Sequence, residues 1–404
     1  MGRLVEKYDR VLLTLCCCAL WALQMLRPLT PDVAWYLDAG SRWFNGQRLY
    51  VDILELNPPL IFYDMALLTA GTWSKGLYLA GVCAAIFVSA ILCERRWAAF
   101  AALTLPALLP FGQRDHLALI AVLPYLASDR RGWPMGIWLF AGTALKPHFL
   151  LMPLLAALWR RRWDAALTTL LVLVALYAVL IPLIHPAFLT DIVPLARSTY
   201  HGLGGSFGYW YQLGLILAVL VMNRRSPIAG AILGALLAYL LQGKFWYYQL
   251  VPALGLATYG GLVARRMPGV NRACAAGISI LSVAYLAGAH RPIDPIPAGA
   301  TRVLFATPHI PMAYPVVFER GVENTSPYPA LWPVPGAATR PDIVAEVRHR
   351  QVDAILKRCP QYIFTNMKDE FDYFAFLSAD PRLHGYRRVG NVHSFRVYLN
   401  PRCA

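Results

Sequence analysis

From residue 11 to residue 289 the chain alternates apolar runs with short polar interruptions, a pattern that predicts a bundle of membrane helices. The runs occupy 11–26, 59–73, 76–94, 97–111, 117–128, 133–145, 149–159, 163–185, 207–222, 227–242, 246–264 and 273–289. Several are shorter than the roughly twenty residues of a perpendicular span, so tilted, broken or partly buried helices are expected. Run 59–73 starts at Pro58-Pro59, contains Asp64, and reads as a half-inserted or interfacial segment. After His290 the pattern changes. A Pro-rich stretch, RPIDPIPAG, opens a tail that reads RVLFAT as a strand and PDIVAEVRHRQVDAILKR as a helix with proline in its first turn. QYIFTN then reads as a strand, DEFDYFAFLSA as a helix, and YRRVGN with SFRVYLN as a hairpin.

Composition agrees with that division. With 404 residues, 58% hydrophobic and 15% charged, and a mean hydropathy of +0.47, the chain is too apolar for an ordinary soluble protein. Its formal net charge of +15 comes from short clusters between apolar runs, such as Arg95-Arg96, Arg130-Arg131, Arg160-Arg161-Arg162, Arg224-Arg225 and Arg265-Arg266. These read as cytoplasmic loops under the positive-inside rule and argue against a nucleic-acid partner. Threading the runs through those clusters gives a polytopic α-helical membrane protein of about eleven spans, with its N-terminus inside and its C-terminus outside. Residues 1–290 form the expected transmembrane domain, 27–58 an acidic external loop, and 291–404 a small external soluble α/β domain. The N-terminus has a basic flank and an apolar core without a small-residue cleavage site, which predicts an uncleaved first helix. Of the eight cysteines, Cys359 and Cys403 fall in the polar tail and can pair if it lies outside the cytoplasm.

The candidate chemistry gathers in the polar interruptions that lack a basic doublet. On this threading they all face outward, beside the acidic loop. That loop carries Asp32, Asp38, Asp52 and Glu55. Asp32, next to Trp35 and Tyr36, can act as a general base toward an acceptor hydroxyl; the plainer alternative is that it caps a helix starting at Val33. Asp38 reads as structural. Asp52 and Glu55, three apart, can share a face and bind a hydroxyl, a metal or an arginine, or simply be solvated. Lys146, Lys244 and Arg114 can bind a phosphate at headgroup depth, against the alternative of snorkelling into lipid. His116, His148 and Tyr248 can hydrogen-bond a phosphate or sugar, or be satisfied polar groups at helix ends. No Gly-rich phosphate loop, Cys-x-x-Cys pair or His-Glu-x-x-His helix is present.

The order of a first span, PDVAWYL, FNGQRLYVDILELNPPL and then many spans resembles the polyprenyl-phosphate-dependent glycosyltransferases of the GT-C fold. These include protein mannosyltransferases, lipid A aminoarabinose transferase and bacterial arabinofuranosyltransferases. The resemblance covers roughly residues 1–260 by architecture, and GQRDHLAL, ALKPHF and QGKFWYYQLVP are similar to membrane-lip motifs of bacterial members. It implies an acidic catalytic residue soon after the first helix, at the position of Asp32, and a full span after the NPPL segment. It implies a polyprenyl-phosphate-linked sugar as donor, a glycan, lipid or protein outside the cytoplasm as acceptor, and a bacterial inner-membrane location. The tandem acidic pair of some mannosyltransferases is missing because residue 33 is Val, which puts a divalent metal in doubt. Two other classes are a transporter or flippase for a lipid-linked sugar, which calls for inverted repeats and mid-membrane charges, and a non-catalytic envelope-assembly protein.

Overall fold

The computed structural model describes residues 2–69, 71–202, 205–206, 208–287 and 292–403. The expected domain junction at 290 and 291, and residues 203, 204 and 207 of the 185–207 loop, lie outside these. The chain forms two compact units.

The first unit comprises Met1–Arg27, Trp73–Leu180 and Gly205–His290 and is helical. Among the described residues four helices are long and apolar enough to cross a membrane: Tyr8–Met25, Ser74–Leu92, Ala165–Ile184 and Pro268–Leu286. Trp210–Met222 and Pro227–Gln242 are apolar but shorter. This corrects the expected span number of about eleven. The apolar runs are cut by local backbone signals that hydropathy averages away. Arg96–Thr104 stops at a 3-10 turn containing Pro106, Trp133–Thr143 ends before Lys146-Pro147, and Leu151–Arg160 ends with Arg161 in the left-handed region. Helices Leu151–Arg160 and Pro227–Gln242 pack closely because Gly230 and Gly234 face the carbonyls of Leu155 and Leu151, where a Cβ would collide.

The second unit comprises Pro28–Thr72, Ile181–Gly204 and Arg291–Ala404. Its core is a five-stranded sheet of β1 (Arg302–Phe305), β2 (Glu323–Asn324), β3 (Tyr362–Asn366), β4 (Arg387–Val392) and β5 (Phe395–Leu399). The strand order is β2-β1-β3-β5-β4, parallel across β2-β1-β3 and antiparallel across β3-β5-β4. Helix Pro341–Arg358 is the crossover between β2 and β3, and burial of Val303, Leu304, Phe305, Ile363, Phe364 and Phe395 fills the sheet's core. The predicted helix at 369–379 shortens to Tyr373–Ser378, because the Asp372 carboxylate caps it by accepting from the Phe374 and Ala375 N–H groups at 3.0 and 2.9 Å. The 185–207 stretch, expected as a loop, is helical over Phe188–Ile192 and Val193–Gly202.

Cys359 and Cys403 are joined by a disulfide that ties the C-terminal end of the crossover helix to the end of the chain. Closing 44 residues constrains the unfolded chain by about 4 kcal/mol in the chain-entropy account. The Cys359→Ser/Cys403→Ser protein should therefore show a lower unfolding midpoint under non-reducing conditions. An unchanged midpoint would mean that the bond contributes nothing.

The acidic interval folds as part of this same unit. Its helix, Pro31–Phe44, is followed by turns and by the short helix Leu60–Ala66, which packs on it through Tyr36–Phe62 and Trp43–Tyr63 ring contacts. At seven residues, Leu60–Ala66 is too short to cross a bilayer, so the described residues do not carry the full span that the resemblance implies after NPPL.

Candidate functional site

In the second unit the helix Pro31–Phe44 presents Trp35, Asp38 and Arg42, at i, i+3 and i+7, toward the C-terminal sheet region. Tyr314 donates to Asp38 Oδ2 at 2.8 Å and packs edge-on against Trp35 at 5.5 Å. Arg42, 8% exposed, donates to the Ser326 carbonyl at 3.1 Å, the Gln47 side chain at 2.9 Å and the Asp52 carbonyl at 3.3 Å. Gln47 in turn accepts from Arg358 at 2.8 Å, next to the disulfide. Burial raises the Asp38 pKa despite the opposing Arg42 charge and Tyr314 bond, and burial with the Asp38 charge raises that of Tyr314. Asp38 is thus held between Tyr314 and Arg42.

Asp52 and Glu55 do not share a helical face, because the chain turns there. Asp52 accepts from the Arg48 backbone at 2.9 Å and its side chain at 3.2 Å, and these bonds outweigh partial burial and lower its pKa. Glu55 is buried rather than solvated. It accepts from Trp35 Nε1 at 2.6 Å, the Leu56 N–H at 2.8 Å and the Asn57 amide at 2.5 Å, which fixes the loop under the helix. The helix starts two residues earlier than the capping alternative requires: Thr30 is the N-cap, Pro31 opens the first turn, and Asp32 lies inside it. A carboxylate there is favoured by the positive end of the helix dipole.

In the first unit, three of the polar interruptions come together. Lys146, 7% exposed, donates to Asp115 Oδ2 and to Gln242 Oε1, both at 2.9 Å. Its ammonium lies 5.3 Å from the Phe149 ring and 5.4 Å from the Tyr248 ring. Arg114, 6% exposed, starts the helix Arg114–Ala127 beside Asp115. Among the described residues, Asp115 Oδ1, Gln113 Oε1 and His148 Nε2 are buried acceptor or ring atoms without a hydrogen-bond partner. His116 differs: its Nδ1 accepts from the Gly112 N–H at 3.0 Å and its Nε2 lies 2.7 Å from the Leu103 carbonyl, so it is a saturated core histidine. Lys244 lies 4.8 Å from the Trp246 ring, and its carbonyl sits where a Cβ on Gly205 would go. At the other end of Arg114–Ala127, Arg160 donates to the Tyr125 and Leu126 carbonyls and Arg131 pairs with Asp164. The basic clusters and the Lys146 group therefore stand about 20 Å apart along one helix, at 1.5 Å per residue.

The sequence reading did not assign Asp115 and Gln242, which hold Lys146, or Tyr314, which holds Asp38. For Asp115 the signal was available, since a carboxylate at the lip of an apolar run requires a cation. Among the described residues no group of three or more His, Cys, Asp or Glu side chains could hold a metal ion. No family model, curated protein or solved structure matches the chain.

Proposed function

We propose that this chain is an inverting, membrane-embedded glycosyltransferase of the GT-C type that moves a sugar from a polyprenyl-phosphate donor to an acceptor outside the cytoplasm. The observation that carries the reading is the fold of the acidic segment after the first candidate span. It is a packed helix that carries Asp32 in its first turn, soon after that span. Asp32 is the base in this reading. It removes the acceptor hydroxyl proton as the oxygen bonds to the anomeric carbon and the carrier phosphate leaves. Lys146, Lys244 and Arg114 supply positive charge for that phosphate, with His148 and Tyr248 beside Lys146.

The site and the C-terminal unit belong on the outer face of a bacterial inner membrane. The Cys359–Cys403 disulfide supports this, because such bonds persist in oxidising compartments. The reading is tested by mass spectrometry of envelope glycans, lipids and glycoproteins with and without the gene. One glycan, lipid or protein should lose one sugar, with the carrier-linked sugar accumulating. Unchanged profiles would remove the transferase reading.

A further inference from the structure

We propose that the C-terminal unit holds a binding pocket for a small anionic amphiphile, an apolar chain ending in a phosphate or carboxylate. A pocket of about 440 Å³ lies between the first two turns of the crossover helix and the segment that follows β3. Its volume falls within the range of small-molecule sites.

The walls are almost wholly apolar. Val344 and Ala345 line one side, and Phe371, Tyr373 and Phe376 the other; Phe371 is 45% exposed. Arg348 is the charged residue of the lining, its guanidinium 5.8 Å from the Phe376 ring centroid. Among the described residues it donates no hydrogen bond and makes no ion pair. Asp380, whose carboxyl feels the Arg348 charge, is already held by Arg382 through bonds of 2.9 and 2.7 Å. A planar fork oriented by an aromatic ring at the mouth of an apolar pocket suits a bidentate oxyanion with a hydrocarbon tail. A sugar would leave its hydroxyls facing carbon, at a cost for each unmet hydrogen bond. This inference does not rest on the transferase reading.

The test uses the full chain in phosphatidylcholine nanodiscs and a diazirine-bearing geranyl phosphate, with labelled peptides located by mass spectrometry. Labels should fall on peptides covering 333–348 and 371–376, and unlabelled geranyl phosphate should compete while geraniol does not. Competition by octanoate alongside would place an acyl carboxylate in the same pocket. Without it, the isoprenoid phosphate is the preferred source of the anion. Arg348→Gln should reduce labelling there roughly tenfold or more, and Arg348→Lys should keep part of it. Label confined to the membrane helices, equal competition by geraniol, or undiminished labelling of a folded Arg348→Gln protein would overturn the proposal.

Discussion

Replacing Asp32 by Asn should lower sugar transfer by at least about a hundredfold while leaving a folded, donor-binding protein, because a general base contributes roughly a hundred- to ten-thousand-fold. The substitution keeps the side chain's size and hydrogen-bonding shape, but the amide cannot accept a proton. Thr30, not Asp32, is the N-cap of the helix Pro31–Phe44, so the cap position is untouched, and the interaction of a first-turn carboxylate with the helix dipole is worth about 0.3–1 kcal/mol. Asp38→Asn and Glu55→Gln are the contrasting variants, since those carboxylates bind Tyr314 and Trp35 and should lose stability before they lose chemistry. Near wild-type transfer by a stable Asp32→Asn protein would put the base elsewhere.

The second large effect concerns Lys146. Its pairing with Asp115 is buried on both sides, with side chains 8% and 1% exposed. Lys146→Met leaves the Asp115 carboxylate uncompensated and should cost about 3–5 kcal/mol. The double replacement Lys146→Met/Asp115→Leu removes both charges and should recover most of that loss, since apolar side chains often substitute for a buried pair without penalty. Unfolding midpoints of the three proteins give the coupling directly. If Lys146 also meets the carrier phosphate, the double variant should be stable yet bind polyprenyl phosphate more weakly. Recovered stability together with unchanged donor binding would confine Lys146 to a structural role.

The elements of the C-terminal sheet were legible because their signals are local. The proline-led run 341–358 is one amphipathic helix, and the alternating segments around Ile363 and Val397 are paired strands. The membrane helices were legible as apolar runs but not as spans. Hydropathy does not register that Pro106, Pro147 and Arg161 end or re-aim the backbone, so among the described residues four helices remain long enough to cross. The acidic loop was legible as a special segment, yet its partner was not. The bonds Tyr314–Asp38 and Arg42–Ser326 join residues 276 and 284 positions apart, and such pairings leave no periodic trace in one sequence. For the same reason Glu55 read as a solvated or ligand-binding carboxylate, although Trp35, twenty residues away, buries it. Lys146, read as a phosphate ligand or a headgroup anchor, is buried against Asp115 and Gln242, a pairing that one sequence does not show.

The central claim is that this chain forms a glycosidic bond, and the direct measurement uses the purified full-length protein in nanodiscs with polyprenyl-phosphate-linked sugars and an acceptor fraction from the cell envelope. Mass spectrometry follows both the freed carrier and the product. The account predicts protein-dependent release of polyprenyl phosphate matched by a new glycoside of inverted anomeric configuration, with both signals lost in Asp32→Asn. A folded wild-type protein that binds the donor but leaves the carrier-linked sugar intact would contradict it.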